Sequence, residues 1–529
     1  MSEKKPRKTT RPAPKISSKA KTVEYDRPSM GRATIPPGLH DPSQRAEWNL
    51  PESESEPGAY MVELNLLYRE GLPGASDKFK ELYARVIGKQ SEIRPPILIS
   101  KTYYRCKISV KEWRKLVKED EKSKDKRDRV IYRIWPDFPV KPLIDHSVAT
   151  IKGDAAVRAY AASGGGIIWA VIDSGIDVRH AHFGDQKDPS RHTLLHPDVA
   201  DLHRDFSGDA APTKETVKDA LTDGFGHGTH VAGIIAGGLG GSRKAGSDFA
   251  VYEKVSESDP DGANKSERIE TRNVGDSSQL RGVAPECRLI SLKALDNDGG
   301  GRASNVMNAL QYIREELNGD PKLLRVQGVN LSIGYEFDAE MFACGQSPLC
   351  VEVDRLVKSG VVVVVAAGNT GYGRVGALQR QTKVGLSNTI NDPGNSALAI
   401  TVGATHRDSP HIYGVSYFSS KGPTGDGRLK PDLIAPGERI TSCAAGKKLV
   451  SMGGDVPDTP SPYIDDTGTS MAAPHVSGAV AAFLSIRREF IQRPEEVKRI
   501  FLESATPLGR ERYFEGHGLL DLMRAIQSV

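Results

Sequence analysis

The sequence predicts an α/β fold, a mostly parallel, doubly wound sheet preceded by a small α+β unit. Three observations carry this. The apolar runs IIWAVIDS, CRLISLKAL, VQGVNLSIG, GVVVVVAAGN and ALAITVGA recur from about residue 141 onward, and a run such as VVVVVAA suits a strand covered on both faces. Helical periods near 304–317 and 351–359 separate some of these runs, the alternation expected of a parallel sheet with helices on each side. Ahead of them, residues 58–140 carry a β-α-β-α-β pattern of their own.

Taken in order, residues 1–57 are rich in Pro, Ser, Lys, Arg and Glu without a sustained period, so they bury too little to offset their ordering entropy and are expected to form a disordered basic tail. The cluster Lys4, Lys5, Arg7, Lys8 and Arg11 reads as solvated charge, with contact to nucleic acid or an acidic partner as the alternative. In 58–140, AYMVELNLLY and PPILISKTYYRCKIS read as strands bracketing a helix, which places Phe79, Leu82, Tyr83, Val86 and Ile87 on one face. Ser109 caps a second helix with Val110, Trp113, Leu116 and Val117 as its apolar face, and VIYRIW is the last strand. Residues 141–529 form the main domain, interrupted at about 238–280 by a surface insertion rich in Ser, Gly, Asp and Glu.

At 529 residues, two domains plus tails are expected, and the 38% hydrophobic content assigns much of the chain to loops. A net charge of +4 gives no strong nucleic-acid footprint, and no run approaches the ~18 apolar residues of a membrane helix, so neither partner is expected. The basic, polar start has no apolar run behind it to act as a secretory signal, and the five cysteines include no C-x-x-C pair. A cytoplasmic protein with reduced thiols is expected; Cys344 and Cys350 lie close enough to close a small loop in an oxidising compartment.

Three blocks carry the chemistry, in the order Asp…His…Ser: Asp173 in AVIDSGID, His227 in DGFGHGTHVAG and Ser470 in TGTSMAAPHVSG. Asp173 ends a strand, so its carboxylate emerges at the C-terminal sheet edge, where ligands bind in open α/β folds. His227 has small neighbours at a helix start, whereas His230, one turn on, is expected to pack. Ser470 opens the helix SMAAPHVSGAVAAFLSI, where free N–H groups favour an anion. Simple N-capping explains any one Gly-Thr-Ser. Three blocks together point to Ser470 as nucleophile, His227 as general base and Asp173 as the residue orienting it. Asn369, in AAGNTG, is placed to donate to the developing oxyanion, although alone it reads as a turn.

The blocks DSGID, GHGTHVAG and GTSMAAPHVSG resemble the subtilisin-like (subtilase) serine peptidases, as do GVAPECRLISLKAL, VNLSIG, AAGN and FSSKGPTGDGRLKPDLIAPG. The resemblance spans about 145–525 and implies a subtilisin-like fold, a serine endopeptidase acting on protein or peptide substrates, and the roles above for Asp173, His227, Ser470 and Asn369. It also implies that Ser332, Ile333 and Gly334 line the cleft and pair with the substrate backbone. The unit 58–140 resembles the family's propeptide in length, element order and placement. That implies a cis inhibitor cut away by the enzyme between about Pro136 and Val148; a generic protein-binding domain is the alternative.

Departures matter too. YEFDAEMFACGQSPLC is longer and more acidic than the family's usual link, and the loop after Asn369 is enlarged through YGRVGALQRQTKVGLSNTIND, so side-chain preference does not transfer. Glu336, Asp338 and Glu340 either favour a basic substrate residue or are simply solvated. His182 stands where secreted relatives carry a calcium-binding Asp, and imidazole is a poor ligand for a hard cation, so no calcium is expected there and no cofactor is called for. A peptide-binding scaffold without turnover is the rival reading, and the intact triad with Asn369 argues against it.

Overall fold

The computed structural model describes residues 34–136 apart from 36, 43, 44 and 46–49, and residues 146–529 apart from 209–211, 239–248, 259–264, 275–279, 321, 342, 378, 379 and 453–460. It comprises two compact units, Met1–Pro142 and Leu143–Val529.

The first unit runs β1 (Gly58–Leu64), α1 (Gly71–Ile87), β2 (Ile97–Ser100), β3 (Tyr103–Ile108), α2 (Val110–Asp120) and β4 (Ile131–Pro136). Its antiparallel sheet has the order β2-β3-β1-β4. Alternate residues Tyr60, Val62 and Leu64 of β1 and Tyr104, Cys106 and Ile108 of β3 face one cluster with Phe79 and Tyr83 of α1 and Trp113 and Leu116 of α2. Ser109 caps α2 reciprocally: its Oγ accepts from Glu112 N at 3.3 Å, and Glu112 Oε2 accepts from Ser109 N at 2.7 Å. Two expectations are revised. PPILISKTYYRCKIS is two antiparallel strands, because polar Lys101 and Thr102 make a turn whose Thr102 carbonyl accepts from Leu64 N at 2.8 Å. Within the expected tail, Leu39 and Leu50 join the buried cluster, and buried Arg45 donates to the carbonyls of Leu39, Pro51 and Glu52. Two apolar anchors and a buried guanidinium with a partner for each of its three nitrogens thus order part of a stretch whose composition argues for disorder. Residues 1–33 lie outside the described residues.

The second unit runs β5 (Ile168–Asp173), β6 (Arg204–Asp205), α3 (His227–Ile235), β7 (Phe249–Ser258), β8 (Lys265–Val274), β9 (Arg288–Lys293), α4 (Ala303–Gln311), β10 (Gly328–Leu331), α5 (Pro348–Lys358), β11 (Val362–Ala366), β12 (Tyr372–Ala377), β13 (Arg380–Gly385), β14 (Ile400–His406), β15 (Leu433–Glu438), β16 (Ile440–Cys443), β17 (Tyr463–Asp466) and α6 (Thr469–Ile486). Seven strands form a parallel sheet in the order β15-β14-β11-β10-β5-β9-β6. The alternation of one strand shows why it is covered twice: Val362, Val364 and Ala366 pack on the side of α3 and α6, while Val361, Val363 and Val365 pack on the side of α4 and α5. From β5 the chain first builds outward through β6 and β9, then returns to build the opposite flank from β10. The direction reverses beside β5, so the crevice at the C-terminal ends of β5 and β10 is the switch point where such sheets bind ligands.

Helix α6 is, by length and composition, apolar enough to cross a membrane, a run that a strict count of apolar residues passes over. The helix is 83% buried, which makes it the central core helix. The expected surface insertion contains a hairpin: β7 pairs antiparallel with β8 and parallel with β17, giving a small sheet ordered β16-β17-β7-β8. Ala250, Val251 and Val274 anchor it through buried side chains. The enlarged loop after Asn369 is likewise a hairpin, β12 paired with β13.

Candidate active site

Asp173 ends β5 and His227 begins α3, and the ring reaches the carboxylate: His227 Nδ1 lies 2.8 Å from Asp173 Oδ1 and 3.0 Å from Oδ2. Asp173 is 1% exposed. Because Nδ1 donates to the carboxylate, the neutral ring presents Nε2 as its acceptor. This geometry depends on a residue the motif order did not mark. Asp223 Oδ1 accepts from Gly226 N at 2.7 Å and Ser174 Oγ at 2.9 Å; its Oδ2 accepts from Thr229 N at 2.8 Å and Thr229 Oγ1 at 2.6 Å. Ser174 Oγ in turn accepts from Gly228 N at 3.0 Å. The open N–H groups of the first turn of α3 are thereby tied to the end of β5, which fixes ring against carboxylate. Burial raises the Asp223 pKa, although the Thr229 hydroxyl and the N–H groups of Gly226 and Thr229 act the other way. Gly228 must be small: a Cβ there would meet the Gly175 carbonyl and lie 3.0 Å from Asp173 Cβ. The signal for Asp223 was present as an Asp one turn ahead of a helix start.

Ser470 is half-buried in the first turn of α6, and its backbone N–H has no intrahelical partner by position. In this conformation its Oγ donates to Ser332 O at 2.9 Å, a bond that must be released before the hydroxyl can donate to the imidazole. Ser332 Oγ returns a bond to Ser470 O at 2.8 Å. Pro474 explains that second bond. Four residues along the helix, it has no N–H to give the Ser470 carbonyl, and the Ser332 hydroxyl supplies the missing donor. Asn330 Nδ2 donates to Ser332 Oγ at 2.9 Å, and Ser477 Oγ donates to Asn330 Oδ1 at 2.8 Å, so a buried polar chain joins β10 to α6 under the serine.

Asn369 follows β11 and is exposed. Its Oδ1 accepts from Thr469 N at 2.9 Å and Thr469 Oγ1 at 3.0 Å, which turns the Nδ2 end of the amide away from Thr469. A side chain at Gly468 would press to 3.3 Å on that Nδ2, so glycine leaves room beside it. Ser332, half-buried Ile333 and exposed Gly334 extend β10 toward this amide, and Asp392 O lies 2.6 Å from where a Cβ on Gly334 would stand. Glu336, Asp338 and Glu340 are exposed.

His230 is fully buried, with Nε2 against the carbonyls of Ile440 at 3.1 Å and Ile464 at 3.2 Å, and burial lowers its pKa to about 4. His182 is also buried. Its Nδ1 meets the Tyr463 hydroxyl at 3.2 Å and its Nε2 meets the carbonyls of Gly233 and Ala236, each at 3.1 Å. Burial pushes its pKa down to about 3, and both nitrogens are engaged, so this side chain does not fit a hard cation.

A sequence profile of the subtilase family matches residues 164–519. Over 377 residues the chain is 28% identical to "Serine protease AprX" of Bacillus subtilis (strain 168), covering 70% of this chain and 68% of that protein. It is 26% identical over 384 residues to "Subtilisin E" of the same organism, covering 73% and 71%. It is 29% identical over 309 residues to that organism's "Major intracellular serine protease", covering 58% and 70%.

Proposed function

The chain belongs to the subtilase family and is a subtilisin-like serine endopeptidase, and from that premise we propose that it cleaves proteins through an acyl-enzyme on Ser470. The observation that carries the assignment is the Asp173–His227 contact at 2.8 Å, held by Asp223 at the sheet edge where α6 presents Ser470. Ser470 Oγ attacks the peptide carbonyl, His227 Nε2 takes its proton and passes it to the leaving amine, and Asp173 holds the ring and stabilises the imidazolium. Asn369 Nδ2 and the Ser470 N–H donate to the oxyanion. Ser332, Ile333 and Gly334 pair with the substrate backbone as an added strand. A fluorophosphonate probe tests this: wild type is labelled on Ser470 and Ser470→Ala is not, whereas equal labelling defeats the assignment.

We further propose that the first unit inhibits the second in cis and is removed by the enzyme between about Pro136 and Val148. Support comes from the chain order: β4 ends at Pro136, and the next described residue is His146. The link itself, 137–145, lies outside the described residues. A tethered segment acts at an effective concentration of roughly millimolar, enough for weak occupancy to block a cleft. Action in the cytoplasm is the proposed setting, supported by five free cysteines and by the likeness to a relative named as intracellular. Fractionation that recovers the protein outside the cytoplasm defeats it.

A further inference from the structure

Sheet order fixes what lies on each side of Asn369. Strand β11 stands between β10 and β14. Segment 332–334 continues from β10, Asn369 follows β11, and the loop carrying Tyr417 follows β14, tied to it by Ser416 N to Ala404 O at 2.9 Å and by Ala404 N to Ser419 Oγ at 3.0 Å. Asn369 therefore lies between segment 332–334 on one side and the Tyr417 loop on the other, so for a polypeptide whose acyl side pairs with 332–334 and whose carbonyl oxygen sits at Asn369, the Tyr417 loop is the neighbour on the far side of that oxygen.

On that side stands an exposed aromatic pair. Tyr417 is 65% and Tyr372 38% exposed, and their rings meet edge-on with centroids 5.3 Å apart. Phe418, packed on the core, supports Tyr417 from below at 5.4 Å. The two segments are braced through their backbones. Gly371 N donates to Phe418 O at 2.9 Å, and buried Lys421 donates from Nζ to Gly371 O at 3.0 Å and to Tyr417 O at 3.1 Å. Gly371 admits no side chain, since a Cβ would run into Ser419 O. A buried ammonium bridging the carbonyls beneath two exposed rings makes a rigid surface, the condition under which aromatic side chains bind at low entropic cost.

We propose that Tyr372 and Tyr417 form a platform that takes an apolar or aromatic side chain of the substrate on the leaving-group side of the scissile bond, which makes them specificity determinants. This rests on the peptidase reading above. The test uses the purified full chain, with fluorophosphonate labelling run alongside. Quenched peptides share one acyl-side sequence and carry either alanine throughout or one phenylalanine scanned over the first four leaving-group positions. Wild type favours the best phenylalanine peptide over the alanine peptide by about tenfold in kcat/KM. Tyr417→Ala and Tyr372→Ala bring that ratio toward one, and Tyr417→Phe preserves it. A protein that takes the probe but shows no phenylalanine preference, or whose preference survives the double alanine variant, overturns the platform. Equal loss on both peptides also overturns it, as damage to the site itself. A wild type that neither takes the probe nor cleaves overturns the peptidase reading and this inference with it.

Discussion

Replacing Asn369 separates transition-state stabilisation from binding, because Thr469 holds one end of its amide and the other end is turned away from it. Oδ1 holds Thr469 N and Oγ1, and Nδ2 faces away from them. Asn369→Ala removes the outward donor, for which loss of about 3 kcal/mol of transition-state stabilisation is expected, or about 10²–10³-fold in kcat. KM changes little, since the ground-state carbonyl carries no full charge for the donor to hold. The same variant strands the N–H and hydroxyl of fully buried Thr469, costing about 1–3 kcal/mol of stability. Asn369→Asp retains an oxygen for Thr469 but replaces the donor with a carboxylate oxygen that repels the oxyanion, so it should be at least as inactive while melting closer to wild type. Kinetics on a quenched peptide, with thermal melts of all three proteins, read both effects. A kcat loss below about tenfold in Asn369→Ala, a defect confined to KM, or an active Asn369→Asp refutes the reasoning.

Ser470→Ala should abolish hydrolysis and leave the chain unprocessed by intact mass; a cut Ser470→Ala chain identifies another protease as the agent. Ser332→Ala strips the Ser470 carbonyl of the donor that Pro474 cannot supply, so a urea titration should show a loss of about 2 kcal/mol, partly recovered by adding Pro474→Ala. Strict additivity of the two would contradict the linkage. Buried His203, His230 and His475 have pKa values lowered to about 4 and His182 to about 3, all by burial. Below pH ~6.5 the unfolded chain therefore binds protons the folded chain refuses. Stability falls as pH drops from about 6 toward 4, by up to ~1.4 kcal/mol per pH unit for each such histidine. His475→Gln should flatten that slope in melts across the range, and a wild type equally stable at both ends would contradict the account. Calcium chelation should leave the melting temperature nearly unchanged, and a large drop would reveal a hard-cation site elsewhere.

The sequence by itself determined what depends on neighbours along the chain. Buried runs such as VVVVVAA announced strands covered on both faces, and Ser109 ahead of an apolar helical period announced a capped helix. Asp173, His227 and Ser470 stood out as candidates because each sits in a block whose small residues shape its own turn. Only the tertiary structure decided what depends on partners far away in sequence. Asp173 meets His227 across 54 residues, Thr469 turns Asn369 across 100, and Ser332 serves the Ser470 carbonyl across 138. No local pattern marks Ser332 as the answer to Pro474, or Lys421 as the brace beneath Tyr372 and Tyr417. A proline states only that a donor is missing, and a buried lysine only that its ammonium must be satisfied. Which group meets each need is set by the order β14-β11-β10-β5, which lays distant loops side by side at one sheet edge.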